Sequence, residues 1–427
     1  MLKRKLYREL LNWKSERLHN HCDKYILITG ASQVGKTYLV KQFANAEYES
    51  FIDINFRKQP QLKKMFEDSS EDIVKKITAN IRDVNFVEGK TLILLDEIQY
   101  AKQVVRSLDY MARDMRFDLV VISPTGIDTD ENVRRLTLYP FDFEEFLWAN
   151  GFDEKTTDSL HARFEANEPL PLAYHNRLAN LFREYIVVGG MPEVVYSFYE
   201  HRDFAKVMKL QQNILVKYRA GIAKSNTERR AGLINKCYNS IPKQLNSELK
   251  KFKYSRVEKG QTKRKYGTSV DWLLEAGYVI PSYNAINASV PLEESCNKSQ
   301  FKLYLNDVGL LTCIYGFDTK RHVLNNVVKG NVRTAIYENI VAESLRARGY
   351  NIYYHKPDDN HEVEFIIEKD SEAIPIEAKV GSRVSVSMSN YITKFKPKTA
   401  YKLTEEISQQ SEDTQIMPYY GVVFALS

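Results

Sequence analysis

The sequence predicts an α/β protein in three parts: a parallel sheet first, a helical middle, and a smaller α/β region at the end. Three observations carry this. Continuous apolar runs alternate with helical segments in the first third, as at Tyr25-Ile26-Leu27-Ile28, Thr91-Leu92-Ile93-Leu94-Leu95 and Leu119-Val120-Val121-Ile122. Such runs mark strands buried on both faces, and their alternation with helices marks a parallel sheet. From about Leu160 to Trp272 the pattern turns mainly helical, and from Phe301 onward it is mixed again. The expected spans are 1–155, 156–298 and 299–427.

Taken in order, Leu2, Leu6, Leu10 and Trp13 recur at helical spacing and open the chain with an amphipathic helix. The strand at Tyr25 leads into a Gly-bounded loop and then a helix through Thr37–Phe43. Phe51-Ile52-Asp53-Ile54-Asn55-Phe56 alternates as a strand does. The helical middle breaks at Gly189-Gly190-Met191-Pro192. Asp271 to Glu275 reads as a helix stopped by Gly277 and followed by a strand. A long helix around Glu338 precedes strands at Ile352-Tyr353-Tyr354, Val363 to Ile367 and Ile374-Pro375-Ile376.

A composition of 43% apolar and 27% charged residues fits a globular protein and excludes a disordered or fibrous one. No stretch approaches the length of apolar sequence that a membrane helix needs, and no apolar segment follows the basic first residues as in a signal peptide. Cys22, Cys237, Cys296 and Cys313 lie far apart without a CxxC pair, which argues against a zinc ribbon or a disulfide framework and suits a reducing cytoplasm. The net charge of +6 is uneven: Lys243 to Lys265 holds nine Lys/Arg against two Glu, a local +7. That block is either a nucleic-acid footprint or a solvated face.

The strongest motif is Gly30-Ala31-Ser32-Gln33-Val34-Gly35-Lys36-Thr37, a G-x-x-x-x-G-K-[ST] string between an apolar strand and a helix. Its glycines let backbone N–H groups close around phosphate oxygens, and the helix adds its positive N-terminal end. Lys36 is placed to reach the β- and γ-phosphates of ATP and the Thr37 hydroxyl to ligand Mg²⁺. At the end of a buried strand, Asp96 is the second Mg²⁺ residue, directly or through water, and Glu97 polarises the attacking water. Two carboxylates there are costly to bury without a cation. Ser123-Pro124-Thr125-Gly126 ends the next strand and reads as a γ-phosphate contact or as a turn. Arg134 and Arg135 supply a charge-stabilising guanidinium, in cis or to a neighbour, or else form a surface pair.

Ile28-Thr29-Gly30…Lys36-Thr37, Leu95-Asp96-Glu97-Ile98-Gln99 and Tyr139-Pro140-Phe141-Asp142-Phe143-Glu144-Glu145-Phe146 together resemble a group of prokaryotic AAA-type ATPases. That group carries a C-terminal domain of unknown function with an endonuclease-like fold. Tyr185 to Glu193 and the KLYLNDVGLL string of Lys302 to Leu311 match its second half, so the resemblance covers nearly the whole chain. Relatives often have a Gly-Ser pair where this chain has Ser123-Pro124-Thr125.

In the middle, Ile234 to Ile241, Leu245 to Phe252 and Ser269 to Ala276 read as three helices, with a strand pair near Tyr278 to Tyr283 and Phe301 to Leu305. Three helices and a hairpin make a winged helix, and the family resemblance implies the same. The cluster Lys250, Lys251, Lys253, Arg256, Lys259, Lys263, Arg264 and Lys265 then falls around the turn and the start of the third helix, where such a fold meets double-stranded DNA. Winged helices also bind proteins. In the last region, Glu338 on a helix, Glu364 on a strand and Glu377-Ala378-Lys379 have the spacing of a restriction endonuclease, although Glu364 stands where Asp is usual. Glu338, Glu364 and Glu377 are expected to hold Mg²⁺, and Lys379 to orient the hydrolytic water. Alternation puts Glu377 and Lys379 on one strand face. His355 and His361 read as structural or solvated.

The expected function is therefore ATP hydrolysis in the cytoplasm coupled to a DNA-contacting, nuclease-derived second half, either monomeric or oligomeric. The alternative is an ATP-dependent switch that binds a protein partner and cuts nothing.

Overall fold

A computed structural model describes residues 2–20, 24–66, 72–81, 85–128, 133–379, 381, 383–410 and 414–426. Cys22 lies outside them. The chain divides into two compact units, one within residues 3–139 together with 275–277, the other within 140–274 and 278–427. The helical middle and the final α/β region thus share one unit. Among the described residues no helix is long and apolar enough to cross a membrane.

The first unit is built on five strands: β1 (Tyr25–Thr29), β2 (Ser50–Asn55), β3 (Thr91–Asp96), β4 (Phe117–Ile122) and β5 (Val133–Thr137). Their order is β2-β3-β4-β1-β5, and every pairing is parallel. The continuous apolar run of β3 is explained by its place inside the sheet, where all six residues are buried. β2 lies at the edge and alternates instead. Leu27, Ile54, Ile93, Leu95 and Val121 join the core on one face of the sheet. The opening helix runs Leu6–Asn20, starting after Leu2, and seats Leu10 and Trp13 with no exposed surface. Trp13 donates its indole N–H to the Lys24 carbonyl at 2.8 Å, and Arg17 pairs with Asp118 of β4.

The second unit begins with helices. Asp142 and Glu145 form a reciprocal cap on the helix Phe143–Ala149, each side chain accepting from the other's backbone N–H. Helices Glu154–Glu165, Leu172–Val188, Pro192–His201, Phe204–Ser225 and Glu228–Leu245 follow. The break at Gly189-Gly190 has a packing cause. Gly189 has φ +75°, and a Cβ on Gly309 would lie 2.6 Å from its Cα. Asp307 Oδ2 accepts from Gly190 N at 2.6 Å while Oδ1 caps the helix Val308–Tyr315 through Leu310 N at 2.8 Å. The two strings Gly189-Gly190 and Asn306-Asp307-Val308-Gly309 therefore interlock backbone to backbone. Burial pushes Asp307 up to about 6, against the pull of the N–H groups it accepts from.

The sheet of this unit has eight strands: β6 (Val279–Asn284), β7 (Asn297–Leu305), β8 (Ile352–His355), β9 (Val363–Lys369), β10 (Glu372–Glu377), β11 (Tyr401–Thr404), β12 (Gln409–Gln410) and β13 (Gln415–Pro418). Their order is β12-β13-β11-β10-β9-β8-β6-β7, with parallel and antiparallel pairs mixed. The long helix Gly330–Ala347 supplies Glu338.

One expectation for the middle segment needs correction. Residues Leu245 to Phe252 are not a helix; the short helix lies at Tyr254–Val257. Ser247 turns its hydroxyl onto the Gln244 and Leu249 carbonyls, a local alternative to helical bonding. Phe252 is buried against Phe301, ring centroids 5.5 Å apart, and its N–H donates to the Phe301 carbonyl at 2.8 Å. The chain there runs beside β7. The expected strand pair is present as β6 and β7, and it belongs to the larger sheet, because β6 pairs with β7 on one side and with β8 on the other.

Candidate functional site

The phosphate-loop residues follow β1. Gly30 has φ +133°, and a Cβ on it would collide with the Leu138 carbonyl, so no other residue fits. Gln33 and Gly35 also have positive φ, 71° and 92°, which curls the loop before the helix Lys36–Glu47. Lys36 Nζ donates to the carbonyls of Gly30 and Ala31 at 2.7 and 2.8 Å. Burial lowers its amine to about 8, opposed by the nearby charges of Glu97 and Asp96. Arg4, unremarked in the sequence, ties the loop from outside: Nη1 donates to the Val34 carbonyl at 3.1 Å and Nη2 to the Tyr139 carbonyl at 2.7 Å.

Asp96 ends β3 and is the hub. Its Oδ2 accepts from the Thr37 hydroxyl and from Asn55 Nδ2, both at 3.0 Å, and its Oδ1 from Glu97 N at 2.9 Å. Asn55 was missed, although its signal was present: it is the last polar residue of an alternating strand, in register with Asp96. Burial raises the Asp96 pKa above the ordinary carboxylate value, with Glu97 and Asp53 adding to the rise and the hydrogen bonds of Thr37 and Asn55 opposing it. A buried oxygen pair that resists ionisation is where a cation is welcome. The Thr37 hydroxyl and the Asp96 carboxylate are hard oxygen donors and fit Mg²⁺. Glu97 takes left-handed backbone angles, φ 59° and ψ 43°, and its Oε2 accepts from Gln99 Nε2 at 2.5 Å. A non-glycine residue held there is strained, as residues at functional sites often are.

The neighbouring candidates behave differently. Ser123 is fully buried at the end of β4, its Oγ without a hydrogen-bond partner and its N–H donating to Ile28 O at 3.1 Å. Arg134 is in register with Ile26, three positions before the end of β1, and pairs with Glu16 of the first helix. The structure does not bring it to the loop. Arg135 Nη1 donates to the Ile127 carbonyl at 3.3 Å.

In the second unit Glu338, Glu364 and Glu377 are all buried, with Glu362 beside them. Each is met by lysine. Glu338 pairs with Lys250 and, at 3.5 Å, with Lys302, and accepts from the Tyr304 hydroxyl at 2.9 Å. Glu362 pairs with Lys302 at 2.5 Å and Lys356 at 3.2 Å. Lys379 stands 3.1 Å from Glu364 and 3.7 Å from Glu377, so the two residues are on one face as alternation requires. Lys402 lies 3.0 Å from Glu377, its strand partner across β10 and β11. Burial raises the Glu364 pKa, and Lys379 opposes it. Among the described residues no three Asp, Glu, His or Cys side chains gather closely enough to hold one metal ion. His355 Nδ1 donates to the Ala285 carbonyl at 2.9 Å, and His361 pairs with Asp358. Glu362, Lys302 and Lys402 were missed, because a lone Glu or Lys within or just before a strand carries no spacing signal.

The basic segment is mostly exposed at Lys243, Lys253, Arg256, Lys259, Lys263, Arg264 and Lys265, with the last three opening the helix Lys263–Glu275. Lys265 pairs with Glu258 at 3.0 Å, and Lys250 is drawn inward to Glu338.

Residues 23–147 match the model of an AAA domain family, residues 179–321 a domain of unknown function (DUF8612), and residues 333–421 a domain of unknown function (DUF4143). The first unit thus has a P-loop ATPase fold with an AAA-like domain. None of the curated proteins matches the chain. Similar solved structures include the Walker-type ATPase PABY2304 of Pyrococcus abyssi, 15% identical, covering 74% of this chain and 96% of that one at a TM-score of 0.44. The Aeropyrum pernix ORC1 protein in complex with DNA is 12% identical over 75% of this chain and 91% of that one, TM-score 0.28. The Thermotoga maritima RuvB Holliday junction branch migration motor is 13% identical over 65% and 89%, TM-score 0.30.

Proposed function

We propose that the chain binds ATP with Mg²⁺ at Gly30–Thr37, hydrolyses it, and uses the nucleotide state to control a second unit that contacts double-stranded DNA through Lys243–Lys265. One observation carries the nucleotide reading: Thr37, Asn55 and Asp96, from three separate elements, meet through 3.0 Å hydrogen bonds beside Lys36. The backbone N–H groups of the loop hold the phosphates, and Lys36 exchanges its two carbonyl acceptors for the β- and γ-phosphate oxygens. Thr37 and Asp96 hold Mg²⁺, which supplies charge neutralisation on those oxygens when bound. Glu97 accepts the proton of the attacking water, with Gln99 fixing one of its oxygens. Arg134 is paired with Glu16 within the chain, so a charge-stabilising role for it is one towards a neighbouring molecule.

The DNA reading is supported by the exposure of seven cations between 243 and 265. The alternative, a switch that binds a protein, is supported by Tyr196 and Tyr199, exposed by 54% and 49% on one helix. A salt titration separates them. Each phosphate contact contributes about −0.9 to the slope of log affinity against log salt. Neutralising Lys259, Lys263 and Arg264 together is expected to lessen the slope for duplex DNA by up to about three units. An unchanged affinity and slope would leave the protein-binding reading in its place.

A further inference from the structure

The acid–Lys cluster of the second unit is over-neutralised before any metal is considered. Four carboxylates, Glu338, Glu362, Glu364 and Glu377, face five ammonium groups, Lys250, Lys302, Lys356, Lys379 and Lys402, giving a formal surplus of one positive charge. Lys402 is decisive. It is 1% exposed, its partner Glu377 is 0% exposed, and strand register fixes the pair. The remaining oxygens are also engaged: Glu364 Oε2 accepts from Ala378 N at 3.1 Å, and Glu377 Oε2 from Ser385 N at 3.2 Å. Glu377 Oε1 and Lys402 Nζ are buried without a hydrogen-bond partner; Oε1 faces Lys379 at 3.7 Å, and Lys402 meets Glu377 Oε2 as an ion pair at 3.0 Å. A divalent ion inserted there would add two charges to a buried site already positive, where repulsion is weakly screened.

We propose that Lys379, standing between Glu364 and Glu377, and Lys402, paired with Glu377, take the place of a divalent cation, so that this centre is metal-free and performs no metal-dependent phosphodiester cleavage. Lysine supplies the neutralising charge but neither Lewis acidity nor a site for a metal-bound water. The cluster then serves to fix the helix Gly330–Ala347 onto β7 through Glu338 and Lys302, and to pair β10 with β11 through Glu377 and Lys402. This inference does not depend on the nucleotide site.

The test is Mn²⁺ titration of the full chain, read as melting temperature and as heat of binding, in wild type, Glu364→Gln and Lys402→Met. The nucleotide site contributes equally to all three and cancels. Wild type and Glu364→Gln are expected to respond alike. Lys402→Met removes the nearer of the two ammonium groups facing Glu377, leaving Lys379 at 3.7 Å, and is expected to gain a Mn²⁺-dependent rise of about 4 °C at a hundredfold excess over its dissociation constant. A wild-type response that disappears in Glu364→Gln overturns the proposal, as does a folded Lys402→Met that gains none. If Lys402→Met does not fold, the wild-type comparison decides alone. Mg²⁺- or Mn²⁺-dependent nicking of DNA that is lost in Lys379→Ala would also overturn it.

Discussion

The Thr37 hydroxyl donates to Asp96 Oδ2 across 3.0 Å, joining the first turn of the phosphate-loop helix to the last residue of β3. The contact fixes the distance between the two oxygen donors proposed for Mg²⁺ before nucleotide arrives. Catalytic groups held this way need little rearrangement on binding.

Lys36→Ala is expected to lower ATP affinity by roughly 10²-fold or more, since a buried charge-assisted contact to phosphate is lost. The Lys36 amine lies at about 8 in the folded chain because burial disfavours its charge. Bound phosphate favours the charge again, so above pH 8 binding must draw a proton from solution. Calorimetry at pH 8.5 in buffers of different ionisation heat should show that uptake in wild type and not in Lys36→Ala. Equal heats across buffers in wild type would place the lysine outside the phosphate contacts.

Glu97→Gln should separate binding from turnover. ATP affinity stays near wild type while the rate falls by roughly 10²-fold or more, the scale of lost general-base assistance. A steady-state phosphate-release assay with a parallel nucleotide titration checks both halves. Wild-type turnover would assign the base elsewhere.

Asn55→Ala removes one of the two side-chain donors to Asp96 Oδ2. A carboxylate that has lost its orienting partner binds metal less well, by about 10- to 100-fold for such supporting contacts. The Mg²⁺ concentration for half-maximal ATPase activity is expected to rise accordingly, with the fold intact by circular dichroism. An unchanged Mg²⁺ requirement would make Asn55 purely structural.

Gly309→Ala puts a methyl 2.6 Å from Gly189 Cα and from the Val188 carbonyl. Neither backbone can retreat without breaking the Asp307–Gly190 contact, so a loss of about 2–3 kcal/mol is expected, in the range of overpacked cores. Chemical denaturation monitored through the second unit measures it. A midpoint equal to wild type would show that the interlock yields freely.

Most of the first unit was legible in the sequence because its signals are local. The phosphate loop is a fixed string, and buried parallel strands are written as unbroken apolar runs, as β3 is. Asn55 and Arg4 escaped because their roles come from partners 41 and 30 residues away or more, Asp96 and Val34. In the second unit the acids Glu338, Glu364 and Glu377 were found by spacing, and Lys379 with them. Lys402 was not, because cross-strand register between β10 and β11 is set by the fold. The segment after Leu245 misled for a related reason: its apolar residue Phe252 satisfies a helical pattern but is claimed by Phe301, far along the chain.

The hairpin of β6 and β7 limits how this chain can be cut. β6 is the seam that carries the helical middle into the final sheet, pairing with β7 in one direction and β8 in the other. β7 runs Asn297–Leu305 and supplies both Phe301, on which the basic segment rests, and Lys302, which reaches Glu338 and Glu362. A fragment ended near residue 298 would strip β6 of one neighbour and leave Phe252 uncovered, while its complement would begin with a severed edge strand and lack Lys250. Residues 140–274 and 278–427 form one compact unit that holds both the basic surface and the acidic interior, so a fragment that keeps the contacts of either contains both.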